Sequence, residues 1–144
     1  MNQLRNKIAL VTGGGLGIGA AGAIELARQG ASVAIMDINK SAGNDTADVI
    51  TNNGGKAIVI LADASSAKEC KETISKTVDV FGGLDILFNN VGIQPVESYV
   101  NVEDTTEDLW DRIINVNLKS RFLMAKYSIP EMRRRGGGVI ISTA

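Results

Sequence analysis

A run of strand-forming residues, Lys7-Ile8-Ala9-Leu10-Val11-Thr12, passes directly into Gly13-Gly14-Gly15-Leu16-Gly17-Ile18-Gly19 and then into a helical pattern. A buried strand, a glycine-rich turn and a helix in that order build a phosphate-binding turn. Glycines tolerate positive φ there and remove the Cβ atoms that would hold an anion away from backbone N–H groups. The helix that follows turns the positive end of its dipole toward the same point. The glycines fit the dinucleotide fingerprint in two registers, Gly15-x-Gly17-x-x-Ala20 and Gly17-x-Gly19-x-x-Gly22, of which the second begins too far beyond the strand. Gly19 and Gly22 would each cost about 1 kcal/mol against alanine inside a helix, so close approach of backbone or ligand is the expected reason for them.

The remainder of the chain alternates in the same way. A helix is expected from Gly17 to a stop at Gly30, a buried strand over 31–36 ending at Asp37, a helix over 40–53 and a third strand over 56–62. Ser66-Ala67-Lys68-Glu69 matches a capping box and opens a helix running to about Phe81. A fourth strand covers 84–89, and residues 91–103 carry no regular pattern. Thr105-Thr106-Glu107-Asp108 then caps one long helix reaching about Arg135, with Trp110, Ile113, Ile114, Leu118 and Phe122 among its apolar positions and Pro130 expected to kink its last turns. A fifth strand occupies 139–144. Near-continuous apolar strands separated by helices predict an α/β fold, a doubly wound parallel sheet with helices on both faces. The winding reverses after the third strand, which predicts the spatial order 3-2-1-4-5 and a ligand crevice between the first and fourth strands.

Composition narrows the chemistry. With 144 residues and 44% hydrophobic content the chain can bury one core and forms one domain. Fifteen basic against sixteen acidic residues leave a net charge of −1, which favours neither nucleic acid nor an anionic membrane as partner. The single basic run, Arg133-Arg134-Arg135, suits a solvated helix end. The absence of histidine removes Ser-His-Asp and Cys-His catalysis and nearly all zinc-hydrolase arrangements, and no metal site is expected. Cys70 stands alone and reads as a small apolar core residue. Without a visible signal peptide or membrane-length apolar run, the expected compartment is the cytoplasm.

The polar residues at the carboxyl ends of the strands are the candidate site. Asp37 lies 24 residues after Gly13 and 20 after Gly17, at the end of the second strand, where a carboxylate accepts the adenosine ribose hydroxyls of a dinucleotide. It would repel a 2′-phosphate, and Lys40 is the only cation near it in sequence, so NAD is favoured over NADP. Asp63 ends the third strand and reads equally as a turn or helix-capping residue. Asn89-Asn90-Val91-Gly92 follows the fourth strand, where Asn-Asn-x-Gly is also common turn punctuation. Asn117, a mediocre helix former inside the long helix, is either functional or a satisfied amide.

Taking Gly13 as the first residue after the strand gives Thr-Gly-x-x-x-Gly-x-Gly, and in this register the sequence resembles the short-chain dehydrogenase/reductase family over all 144 residues. The resemblance implies a Rossmann-like domain and hydride transfer between a nicotinamide and an alcohol or ketone. It implies that Gly13, Gly15, Leu16, Gly17, Ile18 and Gly19 form the cofactor turn. Asp63 would bond the adenine amino group and Ala64 would line its ring. Asn90 would tie the fourth strand to its neighbours, and Val91 and Gly92 would bring backbone to the nicotinamide-side ribose. Asn117 matches the helix asparagine that holds a water in the family's proton relay and is the catalytic candidate. The long helix would pack across a two-fold axis in a homo-oligomer.

Counting along the resemblance places the family's catalytic serine one position after Ala144; Ser142 falls three positions short of it. Neither tyrosine has a lysine four residues on, since Glu103 follows Tyr99 and Glu131 follows Tyr127. The 144 residues are therefore expected to be the cofactor-binding part of a catalytic unit, truncated after the fifth strand and inactive alone. The competing class is a dinucleotide-binding module or sensor without turnover. A nucleoside-cofactor methyltransferase shares the glycine turn and the second-strand acid but gives Asn89-Asn90-Val91-Gly92 and Asn117 no task.

Overall fold

Strands that carry apolar side chains at successive positions present two apolar faces, and both must be covered. The computed structural model, which describes residues 3–143, meets that demand with one five-stranded sheet in which every paired neighbour is parallel. In chain order the elements are β1 (Ile8–Thr12), α1 (Gly17–Arg28), β2 (Ser32–Asp37), α2 (Lys40–Asn52), β3 (Lys56–Leu61), α3 (Ala67–Phe81), β4 (Ile86–Asn89), α4 (Glu107–Ile114), α5 (Ser120–Arg134) and β5 (Val139–Ser142). Two short 3-10 turns, Val96–Ser98 and Val102–Asp104, interrupt the irregular connection before α4. The strands lie in the order β3-β2-β1-β4-β5, the order expected from the reversal of winding.

Alternate strand residues feed two separate cores. Leu10, Met36 and Ile60 meet Cys70 and Ile74 of α3 and Leu123 and Met124 of α5. Val11, Val33 and Ile35 meet Ala23 and Ala27 of α1 and Ile50 of α2 on the opposite face. The sheet is thus doubly wound and Rossmann-like. Gly22 sets how closely α1 lies on it, because a Cβ there would stand 2.5 Å from the Phe88 ring.

Two expectations change. The long helix runs unbroken from Glu107 to Arg134 but not as a regular α-helix: α4 and α5 are joined by a π turn, Asn115–Lys119, in which the Ser120 N–H reaches back to the Asn115 carbonyl. Side-chain donors support the wider turn. The Ser120 hydroxyl donates to the Val116 carbonyl and the Arg121 guanidinium donates to that of Asn117. Hydrophobic periodicity does not register such a local insertion. Beyond it, α5 continues through Pro130 to Arg134.

Nor is the arginine run simply a solvated end. Arg135 Nε donates to Asp85 Oδ1 at 2.9 Å, and Asp85 Oδ2 accepts the Ile8 N–H at 2.9 Å. The Asp85 carbonyl accepts from Val139 N–H. One buried carboxylate and its backbone therefore tie β1, β5 and the end of α5 together at the pole opposite the candidate site. At the sheet's edge, all four residues of β5 are exposed.

Candidate functional site

The glycine turn is held open by its own hydrogen bonds. Gly13 N–H donates to the Met36 carbonyl at 2.8 Å, and the Gly13 carbonyl accepts from Asn90 Nδ2 at 3.2 Å. Gly15 is fixed from both sides: its N–H donates to Asp37 Oδ2 at 2.8 Å and its carbonyl accepts from Thr46 Oγ1 at 3.1 Å. Gly13 and Gly17 take the positive φ values, +64° and +54°, that favour glycine. A Cβ on Gly19 would fall on the Gly13 carbonyl, so α1 can start tight against the turn only with glycine there. No side chain caps α1. Leu16 and Ile18 point their side chains to solvent, and the first-turn amides of Gly17 and Ile18 lie at the exposed start of α1 with no partner inside the helix, as anion donors do.

Beside the turn lies a cavity of about 250 Å³ that brings together Gly13, Asp37, Asp63, Ala64, Val91 and Val116. Asp37 also accepts from Asn39 N–H through Oδ1 at 2.9 Å, which fixes the carboxylate plane. Asp63 accepts from both Ser65 N–H and Ser65 Oγ through Oδ1 at 2.8 Å, leaving Oδ2 for another donor. Its backbone is steadied by Glu69. The expected capping box is only half formed, because Ser66 Oγ accepts from Glu69 N–H at 3.3 Å whereas the Glu69 carboxylate turns to Asp63 N–H at 2.8 Å. Beneath Ala64, the Cys70 thiol donates to the Ala64 carbonyl at 3.2 Å. Burial, aided by the charges of Asp63 and Glu69, pushes that thiol up to about 11.

The cavity also contains a cation that sequence adjacency hid. Arg112 reaches it from α4, so Lys40 is not the only basic residue near Asp37. A helix residue 75 positions away along the chain gives no local signal.

On the other side of the turn, Thr12 does work that its place at the end of an apolar strand only hints at. Its buried hydroxyl accepts the N–H groups of Asn90 and Val91 at 3.0 and 3.1 Å, fastening β4 to β1. Gly92 follows, and the chain then meets Asn117. The Asn117 side chain accepts from Ile93 N–H at 2.7 Å and donates to the Ile93 carbonyl at 2.8 Å, so both its polar atoms are occupied. Its own carbonyl takes the Arg121 guanidinium, which also donates to the Thr143 carbonyl at 2.6 Å. The π turn, Asn117 and the end of β5 therefore form one connected corner.

The sequence-predicted residues thus converge at the carboxyl ends of the strands, as an uncapped helix start flanked by a cavity that Asp37 and Asp63 line. The family model for short chain dehydrogenase matches residues 7–144. An uncharacterized oxidoreductase of Thermotoga maritima is 43% identical over 142 residues, covering 99% of this chain and 55% of the relative. A cyclohexanol dehydrogenase of an Acinetobacter species is 38% identical over 143 residues, with 99% and 56% covered. Among solved structures, NAD+-bound xylitol dehydrogenase superposes with a TM-score of 0.93 at 31% identity, over 99% of this chain and 54% of that one. The chain spans about half the length of the curated relatives it matches. With strand order, glycine turn and family model in agreement, the chain belongs to the short-chain dehydrogenase family.

Proposed function

We propose that these residues hold the dinucleotide of an NAD-dependent oxidoreductase acting on an alcohol or ketone. The observation that carries this reading is the uncapped start of α1. Among the described residues a Cβ on Gly17 would meet nothing within 4 Å, so the space an anion needs lies directly before the first-turn amides. The adjoining cavity fits a purine nucleoside: Asp37 for the ribose hydroxyls, Asp63 Oδ2 for the adenine amino group, Ala64 and Val116 for the ring. When bound, a nicotinamide dinucleotide supplies or accepts the hydride.

The chain's own residues orient and select. Asn90 and Thr12 hold the backbone that leads into Val91 and Gly92, which would face the nicotinamide-side ribose. Asn117 pins the backbone at Ile93 through both polar atoms of its side chain, and a relay water there would use the lone pair left on the Asn117 main-chain carbonyl or the N–H and lone pair left on its side-chain amide. Selection of NAD over NADP rests on the Asp37 charge and on the lack of room at Gly15, where a Cβ would stand 2.8 Å from Asp37 Oδ2. The cytoplasm is the compartment we infer, with no nucleic-acid or membrane partner; no helix among the described residues is long and apolar enough to cross a membrane.

A non-catalytic nucleotide-binding role is favoured by one observation, the lack of a tyrosine with a lysine four residues on. We take this to mean that residues 1–144 bind cofactor without turning over substrate. Unfolding of the intact protein followed with NAD, NADP and S-adenosylmethionine side by side tests the cofactor reading, and protection by NAD foremost is expected. Hydride transfer by residues 1–144 themselves, well above background on a panel of alcohols and ketones, would show that the chemistry runs through groups present here.

A further inference from the structure

Arg112 of α4 stands one helical turn before Val116 of the π turn, and both line the cavity that contains Asp37 and Asp63. Although two carboxylates share its cavity, the Arg112 side chain forms no ion pair among the described residues. The rest of the lining is largely apolar, including Ile38, Ala62, Ala64 and Ile93, which suits a flat ring better than a second anion. A guanidinium is planar and delocalised, and packs face to face on aromatic rings where an ammonium cannot.

We propose that Arg112 is a specificity-determining residue for the cofactor, its guanidinium stacking on the adenine face while Asp63 and Ala64 hold the edge. The inference rests on the nucleotide reading above. It makes the purine, and not only the pyrophosphate and ribose, an anchor of binding, and it draws on α4 for a contact that the glycine turn cannot make. The cation and Asp37 line the same cavity, so a bound nucleoside would have both charges within one pocket.

Calorimetric titration of the intact protein, alongside Arg112→Met and Arg112→Lys, with 5′-AMP, 2′,5′-ADP and ribose 5-phosphate tests this. Arg112→Met should weaken 5′-AMP about three- to fivefold and leave ribose 5-phosphate unchanged, with Arg112→Lys in between. Unchanged 5′-AMP binding, or equal weakening of ribose 5-phosphate, overturns the stacking role. Weakening confined to 2′,5′-ADP also overturns it, by assigning Arg112 to a 2′-phosphate. If the unaltered protein binds no 5′-AMP at all, the nucleotide reading itself fails and takes this inference with it.

Discussion

At the scale of single residues, position relative to the glycine turn decides what each polar group can do. Asp37 holds Gly15 N–H with one oxygen and Asn39 N–H with the other, so its charge is fixed in place before any ligand arrives. Asp37→Ala should relax the preference for NAD over NADP by about tenfold, one removed charge repulsion being worth about 1.4 kcal/mol. Titration of both variants with both nucleotides reads it, and tighter NADP binding by the unaltered protein would give the choice to Lys40 or Arg112. Cys70 offers a test that needs no ligand. Burial raises its thiol from 9.0 to about 11 in the folded protein, so the unfolded chain loses that proton first. The stabilising contribution is complete below pH 9 and declines as pH climbs toward 11. Alkaline unfolding curves should therefore be shallower over that interval for Cys70→Ala than for the parent.

At the scale of elements, Asp85 shows how one carboxylate secures several. It serves Ile8 N–H and Arg135 at once, and Asp85→Ala would leave the Ile8 donor without its partner and Arg135 with only the Asn6 carbonyl. A loss of about 3 kcal/mol is expected in urea unfolding, with Arg135→Ala costing less because its side chain is partly solvated. The alternation of strand and helix, the strand order and the converging Gly13, Asp37, Asp63 and Asn90 were legible because each rests on local periodicity or on a short motif. What was not legible depends on partners distant in sequence. Thr12 acts on Asn90 and Val91, Thr46 on Gly15, and Arg112 on the cavity of β2 and β3; none has a neighbour in sequence that announces the contact. The π turn escaped for a different reason. Its cause lies in the Ser120 and Arg121 side chains meeting carbonyls of the preceding turn, and such hydrogen bonds leave the apolar spacing almost unchanged.

At the scale of the whole molecule, the apolar surface is unevenly finished. Trp110, Leu118 and Phe122 of the α4 to α5 stretch are 60%, 61% and 61% exposed, a density of large apolar groups that points to a covered face in the assembled protein. Sedimentation of the intact protein should show a dimer or larger at micromolar concentration, and Trp110→Glu combined with Phe122→Glu should shift it to monomer. A monomeric parent would refute this. The π turn at Asn115–Lys119 also sets the phase between the two halves of this helical stretch. Were the turn to tighten to α geometry with the same residues, all that follows would rotate by about 100°, swinging Leu123 and Met124 out of the core. Ser120→Ala combined with Arg121→Ala removes the side-chain donors that support the wider turn, and urea unfolding should show a larger loss of stability than for Leu118→Ala, which trims an exposed side chain of the same turn.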